Sequence, residues 1–111
     1  MIIDYRCTTV EEMDVRERFD VVLCLQVLEH IPDARTFAQR LLASARRHVI
    51  VSVPYKWPEG KCHWHVQDPV DEAKMLTWFG REPSYSRVVR NHRWHGKARL
   101  VSRYAVAAEA G

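Results

Sequence analysis

Glu29 and His30 follow directly on an apolar run, FDVVLCLQVL, and stand just before Ile-Pro-Asp. A carboxylate beside an imidazole can move protons at neutral pH, because imidazole titrates there and the acid can orient it or stabilise its charged form. Such a pair could take a proton from a hydroxyl group. The same two residues could instead open or cap the helix that follows, so spacing alone leaves a catalytic and an orienting role open. A second group lies in KWPEGKCHWHVQ, residues 56–67, which gathers Trp57, Cys62, His63, Trp64 and His65. Cys62, His63 and His65, with His30 as a fourth donor, would suit a metal-dependent hydrolase. Their local spacing fits none of the common zinc motifs, however, and an aromatic loop accounts for the same residues. We assign no metal ligands from the sequence.

These side chains need elements to hold them. Residues 19–26 are short, rich in valine and leucine and without alternation, as expected of a parallel strand covered on both faces. After Pro32, Asp33 can cap a helix in which Ala34, Phe37, Ala38, Leu41, Leu42 and Ala45 recur at helical spacing, opposite Arg35, Gln39 and Arg40. Arg46, Arg47 and His48 then set positive charge against the helix C-terminus. HVIVSVP, residues 48–54, is a second unalternating strand, so residues 19–54 predict a parallel strand, helix, strand unit with a right-handed crossover. The 56–67 segment reads as a loop. Asp68-Pro69 opens a second helix, with Pro69 at its first position, Asp71 and Glu72 in the first turn, and Gly80 as its stop. Val70, Ala73, Leu76 and Phe79 would be its packed side. YSRVVRN and RLVSRYAVA, joined by a basic loop containing glycine, predict an antiparallel hairpin. The fold class is α/β, in one domain over residues 1–111, with Glu29 and His30 at the carboxyl end of a central strand. Open α/β sheets bind ligands there.

Composition narrows the function classes. The net charge of +3 is concentrated after Arg81, where Arg87, Arg90, Arg93, Lys97, Arg99 and Arg103 stand among His92, Trp94 and His95. Nucleic-acid binding is disfavoured, because acidic residues are mixed through the first two thirds of the chain. Cys7, Cys24 and Cys62 form no CxxC pair and are odd in number, which argues for reduced thiols rather than a disulfide framework. No apolar run approaches the roughly 20 residues of a membrane span, and MIIDYR lacks the layout of a signal peptide. A cytoplasmic location is the expectation.

FDVVLCLQVLEHIPD, the amphipathic helix after it and HVIVSVPY together resemble the fourth strand, following helix and fifth strand of class I S-adenosylmethionine-dependent methyltransferases, above all the ubiquinone-biosynthesis O-methyltransferase type. DYRCTTVEEM resembles that family's third strand and the turn that meets the adenine. The final hairpin resembles its last two strands, one of them inserted antiparallel beside the fifth. The resemblance implies a partial Rossmann-like methyltransferase sheet, S-adenosylmethionine as cofactor and a small-molecule methyl acceptor. It implies cofactor contacts from Thr9, Val10 and Glu11 at the adenine, and from Cys24, Leu25 and Gln26 at the methionine part, where the family often has Glu in place of Gln26. Glu29 and His30 match a pair at the mouth of the acceptor pocket. Tyr55, Trp57, His63, Trp64 and His65 are candidates for its wall, or pack on the sheet as a structural loop.

The family's opening strand and glycine-rich turn, and the acid that meets the ribose, have no counterpart here. Gly60, Gly80, Gly96 and Gly111 all follow the second apolar strand, and 18 residues precede Phe19. The chain thus resembles the C-terminal half alone, a truncated domain expected to bind the cofactor weakly or not at all. In the family order 3-2-1-4-5-7-6 the strand at 19–25 would become an edge, open to a partner chain, to a second copy, or to IIDY folding back. The alternative is an inactive remnant, or the partner subunit of a split methyltransferase.

Overall fold

The computed structural model describes residues 3–14, 16–90 and 97–106. Along the chain run β1 (Phe19–Leu25), a 3-10 turn (Leu28–His30), α1 (Ala34–Ser44), β2 (Ala45–Tyr55), α2 (Glu72–Phe79), β3 (Tyr85–Arg90) and β4 (Ala98–Ala105). The strands form one sheet in the order β1-β2-β4-β3. β1 lies parallel to β2, with Val22 opposite Val49 and Cys24 opposite Val51. β4 lies antiparallel to both β2 and β3. The parallel unit and the hairpin strand inserted beside it are those expected from the sequence. Asn91, His92, Arg93, Trp94, His95 and Gly96, the expected hairpin loop, lie outside the described residues.

α1 starts where its cap predicts. The Asp33 carboxylate accepts the Thr36 N–H at 3.2 Å, and hydrogen bonding from Thr36, from its side chain first and then its backbone, holds the Asp33 pKa below the usual carboxylate value. Ala34, Phe37, Ala38, Leu41 and Leu42 form the buried stripe. The helix ends at Ser44 and passes into β2 without a loop, because Ala45 already pairs with Phe19 of β1 and is buried. Arg46, Arg47 and His48 therefore stand on β2 and not at a helix terminus; Arg46 pairs with Asp20 at 3.0 Å.

α2 begins later than Pro69. Its cap is Asp71, whose carboxylate accepts the Lys74 N–H at 2.9 Å. Asp68 cannot serve as cap because its carboxylate is held by His65 at 2.6 Å. The later start rotates the packed side: Met75, Trp78 and Phe79 are buried, whereas Ala73 and Leu76 are exposed. Val70 is buried ahead of the helix, and its carbonyl accepts the Lys56 N–H at 2.8 Å. Gly80 ends α2 at φ 69°, a left-handed conformation that suits glycine, with its N–H on the Leu76 carbonyl at 2.7 Å.

Both helices contribute to one core on one face of the sheet. Val49, Val51 and Val53 of β2 meet Leu100 and Tyr104 of β4 there, and Tyr104 stacks on Phe79 with ring centroids 4.1 Å apart. Burial pushes the Tyr104 hydroxyl up to about 12 and the Cys24 thiol up to about 11. β1 is not covered on both faces as its unalternating run suggested. Val22 and Cys24 turn inward, but Val21, Leu23 and Leu25 are 46%, 61% and 51% exposed.

DYRC forms no strand, nor do the described residues of IIDY; Ile3 and Tyr5 are exposed. A strand needs a hydrogen-bonded neighbour, and none of the described strands pairs with this segment. Arg6 instead holds the Glu17 carboxylate at 2.8 Å. The three cysteines are free thiols. No helix among the described residues is long and apolar enough to cross a membrane.

Candidate functional site

The end of β1 is fixed by Gln26. Its backbone turns left-handed at φ 58°, its N–H donates to the Ser52 carbonyl at 2.9 Å, and its side-chain amide donates to the Ser52 hydroxyl, also at 2.9 Å. The reversal feeds the 3-10 turn, which sinks Leu28 into the core and carries Glu29 inside with it at 1% exposure. The adjacent His30 side chain stays 42% exposed.

Residues of the 56–67 loop then close over this pair. The Val66 N–H donates to the Glu29 carbonyl at 2.8 Å. The His30 Nδ1 lies 2.9 Å from the Trp64 carbonyl oxygen. A carbonyl only accepts, so Nδ1 carries the hydrogen, and Nε2 is left facing Glu29 Oε2 at 3.6 Å. Burial raises the Glu29 pKa above the ordinary carboxylate value, although its backbone hydrogen bond and the nearby His30 and His65 pull the other way.

His65 joins from the same loop. Its Nδ1 bonds to Asp68 Oδ2 at 2.6 Å, both side chains being buried. Its ring meets His30 edge-on with centroids 5.0 Å apart, and Trp57 at 5.3 Å on its other contact. Glu29, His30 and His65 each offer a ligand atom within 4.8 Å of the others, while Glu29 Oε1 and Asp68 Oδ1 have no hydrogen-bond partner. This donor set could hold a divalent cation. It differs from the Cys62, His63 and His65 grouping weighed from the sequence, because His63 turns away to stack on Trp64 at 4.9 Å.

Thr9, Val10 and Glu11 form a turn in its own right. The Glu12 N–H bonds to the Thr9 hydroxyl at 3.2 Å and the Thr9 N–H to the Glu12 carboxylate at 3.4 Å, the reciprocal pattern of a capping box. Arg40 of α1 clamps this turn through the Val10 carbonyl at 2.7 Å. Cys24 is buried and Leu25 is half exposed at the strand end. Trp57 donates its indole N–H to the Ala98 carbonyl at 3.0 Å, and Tyr55 donates its hydroxyl to Glu72 at 2.9 Å. Trp64 is exposed. Glu29, His30, Trp57, Trp64 and His65 therefore form one connected group, to which Tyr55 is linked through a cavity it shares with Trp57. Arg40, Ser52 and Asp68 are functional neighbours that the sequence reading missed. Their partners lie on other elements, or, for Asp68, the residue had a competing role as a helix cap.

Residues 1–51 match the family described as methyltransferase domain. Among curated proteins, the ubiquinone biosynthesis O-methyltransferase of Rhodopseudomonas palustris (strain BisB18) is 58% identical over 43 residues, 39% of this chain and 17% of that protein. The protein of the same name from Nitrobacter winogradskyi is 61% identical over 41 residues, 37% of this chain and 16% of that protein. The match thus spans less than a fifth of each of these relatives. Among solved structures, magnesium protoporphyrin IX methyltransferase from Synechocystis PCC 6803 with bound SAH superposes with TM-score 0.63 at 18% identity, over 90% of this chain and 49% of that one. The N-terminal domain of EvdMO1 with SAH bound gives TM-score 0.59 at 16% identity, over 92% of this chain and 53% of that one. At such identities the likeness is one of fold, and at 90% of this chain or more it covers more than the residues 1–51 that the family match covers.

Proposed function

We propose, from the match of residues 1–51 to the methyltransferase domain family, that the chain is the acceptor-side half of a class I S-adenosylmethionine-dependent methyltransferase acting on a hydroxyl of a small molecule. The observation that supports this most is the placement of Glu29 and His30 at the carboxyl end of β1, in a sheet whose parallel pair is followed by an antiparallel insertion.

The residues present fit the two ends of the cofactor. Thr9, Val10 and Glu11 would meet the adenine from a turn already held by Arg40. Cys24, Leu25 and Gln26 would meet the methionine part from a strand end held by Ser52. S-adenosylmethionine, when bound, supplies a methyl group on an activated sulfonium. Near it the Cys24 thiol, held up to about 11 by burial, stays protonated at neutral pH and so does not compete as a nucleophile. His30 takes the acceptor's proton at Nε2, and Glu29 stabilises the resulting imidazolium from its buried position. Trp57 and His65, both half-buried, would limit water on the loop side of the reacting atoms. The free thiols agree with a cytoplasmic setting.

The glycine-rich turn and the ribose acid are absent from these 111 residues. Another segment or another chain therefore completes the cradle in this reading. The bare apolar face of β1 also favours a second reading, a binding subunit of a split methyltransferase with no turnover of its own.

Titration with S-adenosylhomocysteine at millimolar concentration, followed by backbone amide resonances, tests the assignment. Shifts centred on Thr9 to Glu11 and Cys24 to Gln26 are expected; none, or shifts confined elsewhere, would refute it. In a domain completed by a glycine-rich half, His30→Gln should cut turnover by about 100-fold with cofactor affinity kept. Unchanged turnover, or an acid limb persisting near pH ~6 to 7 in the rate profile, would reduce His30 to an orienting role.

A further inference from the structure

We infer that the back face of the sheet, opposite both helices, is a protein interface, and that its partner presents an amphipathic helix with an apolar stripe and an acidic flank. Strand register lays this face out in rows. Leu23, Ile50, Arg103 and Tyr85 stand side by side across the four strands, and Leu25, Ser52, Val101 and Arg87 make the next row. Exposure along β2 shows that the two faces differ. Val49, Val51 and Val53, towards the helices, are 0% exposed, whereas Ile50 and Ser52 between them stay half-buried although β2 has a strand on either side. α1 and α2 give their buried residues to the core on the other face.

Each row runs from apolar to basic. Leucine and isoleucine stand on the side of β1, arginine on the side of β4 and β3, and no acid stands in either row. Arg103 donates from Nε to Ser84 Oγ at 3.1 Å and lies 5.7 Å from the centre of the Tyr85 ring, two partners that hold its charge in place without opposing it. Arg87 is exposed. The acids nearest in the chain lie elsewhere: Asp20 alternates with Val21 and holds Arg46 at 3.0 Å, and Glu82 lines the cavity under α2. The row beyond Val101 takes no part, since Pro54 is buried and Arg99 lies 4.7 Å from the ring of Trp57 in the 56–67 loop.

Three occupants suit a face that is apolar on one side and basic on the other, and the structure favours one. A second copy has no acid in these rows with which to answer Arg87 and Arg103. An anionic membrane has the charge, but the outer edge of β1 carries backbone groups that no described strand pairs, and hydrocarbon cannot satisfy them. Helices meet both demands. Parallel strands joined by crossovers are covered by helices on both faces, and β1 and β2 have described helices on one. This chain also matches 49% and 53% of two solved neighbours, which leaves about half of each without a counterpart here. The acidic flank follows from the arginines of this sheet, whereas the partner's place in a methyltransferase rests on the half-domain reading.

The test uses the chain as it is, without cofactor, so that its failure leaves the methyltransferase assignment to the cofactor titration. Two synthetic helical peptides of roughly five turns share a leucine stripe and differ in its flank, glutamate in one and lysine in the other. The acidic peptide should shift the amide resonances of Leu23, Ile50, Val101 and Arg87 saturably. Its affinity should exceed that of the basic peptide by about tenfold and fall as salt rises. Arg87→Glu combined with Arg103→Glu should reverse the preference, which a loss of fold cannot imitate, and Leu23→Asp should abolish binding of either peptide. No shift with either peptide, equal affinity for the two, or an unchanged preference in the double variant would overturn the inference. So would shifts of these residues with phosphatidylglycerol vesicles alone, or a dimer in sedimentation that Leu23→Asp breaks and the acidic peptide does not.

Discussion

Two faces of the same strand contrast sharply in β1. On one, Val22 and Cys24 pack into the core formed with α1 and β2; on the other, Val21, Leu23 and Leu25 are about half exposed. Both sets come from one unalternating apolar run, the pattern of a strand covered on both sides. The chain's own described residues cover one side. Unpaired apolar area on a strand that, among the described residues, also lacks a neighbour along its outer edge is costly to leave in water and prone to association. The contrast teaches that the sequence pattern encodes the environment of the strand in a finished assembly, whereas the coordinates of one chain show how much of that environment the chain supplies.

Substitutions on the two faces should separate accordingly. Phe79→Ala removes a ring that is 2% exposed and stacked on Tyr104, and should cost about 3–5 kcal/mol in urea unfolding. Leu23→Asp, on the bare face, should leave the unfolding free energy of the lone chain within about 0.5 kcal/mol and abolish any self-association seen by sedimentation. If Leu23→Asp instead destabilises the lone chain as Phe79→Ala does, that face is already covered. A smaller effect belongs to the helix that roofs the covered side: Asp71→Ala should cost about 1 kcal/mol through loss of the α2 cap. A value near zero would mean that Asp71 does not hold the start of α2.

Glu29 tests the covered face through pH. Its native pKa is raised by burial, so the native state keeps this proton to higher pH than the unfolded chain does. The contribution to stability is then whole below the unfolded value of about 4.3 and declines as pH rises through the raised native value. Glu29→Gln should flatten that decline, read as urea midpoints across the same pH range. An unchanged slope would mean that the buried carboxyl ionises as it does in water.

The parallel unit, the Asp33 cap, the Gly80 stop and the hairpin were legible because each depends on neighbours within a few residues. The adjacency of Glu29 and His30 was legible for the same reason. What fixes them was not. The Trp64 carbonyl on His30 and the Val66 N–H on Glu29 are backbone groups 34 and 37 positions away, and backbone groups leave no trace in side-chain spacing. Gln39, read as part of an outward helix face, caps α2 by donating to the Trp78 and Phe79 carbonyls at 2.9 and 3.2 Å. The start of α2 was misplaced because Asp68 and Asp71 both suit a cap, and only the contact with His65 decides between them. DYRC was expected to form a strand by likeness to a family in which that strand has a neighbour, and no described strand here offers one.

Calorimetric titration of S-adenosylmethionine into the isolated chain tests most directly whether these residues are half of a cofactor cradle. With the adenine turn and the strand end present, but no glycine-rich turn and no ribose acid, binding should not saturate at micromolar ligand. Micromolar affinity with one site per chain would contradict this, and would mean that β1, its bare face and the Thr9 to Glu12 turn hold the cofactor without a second half.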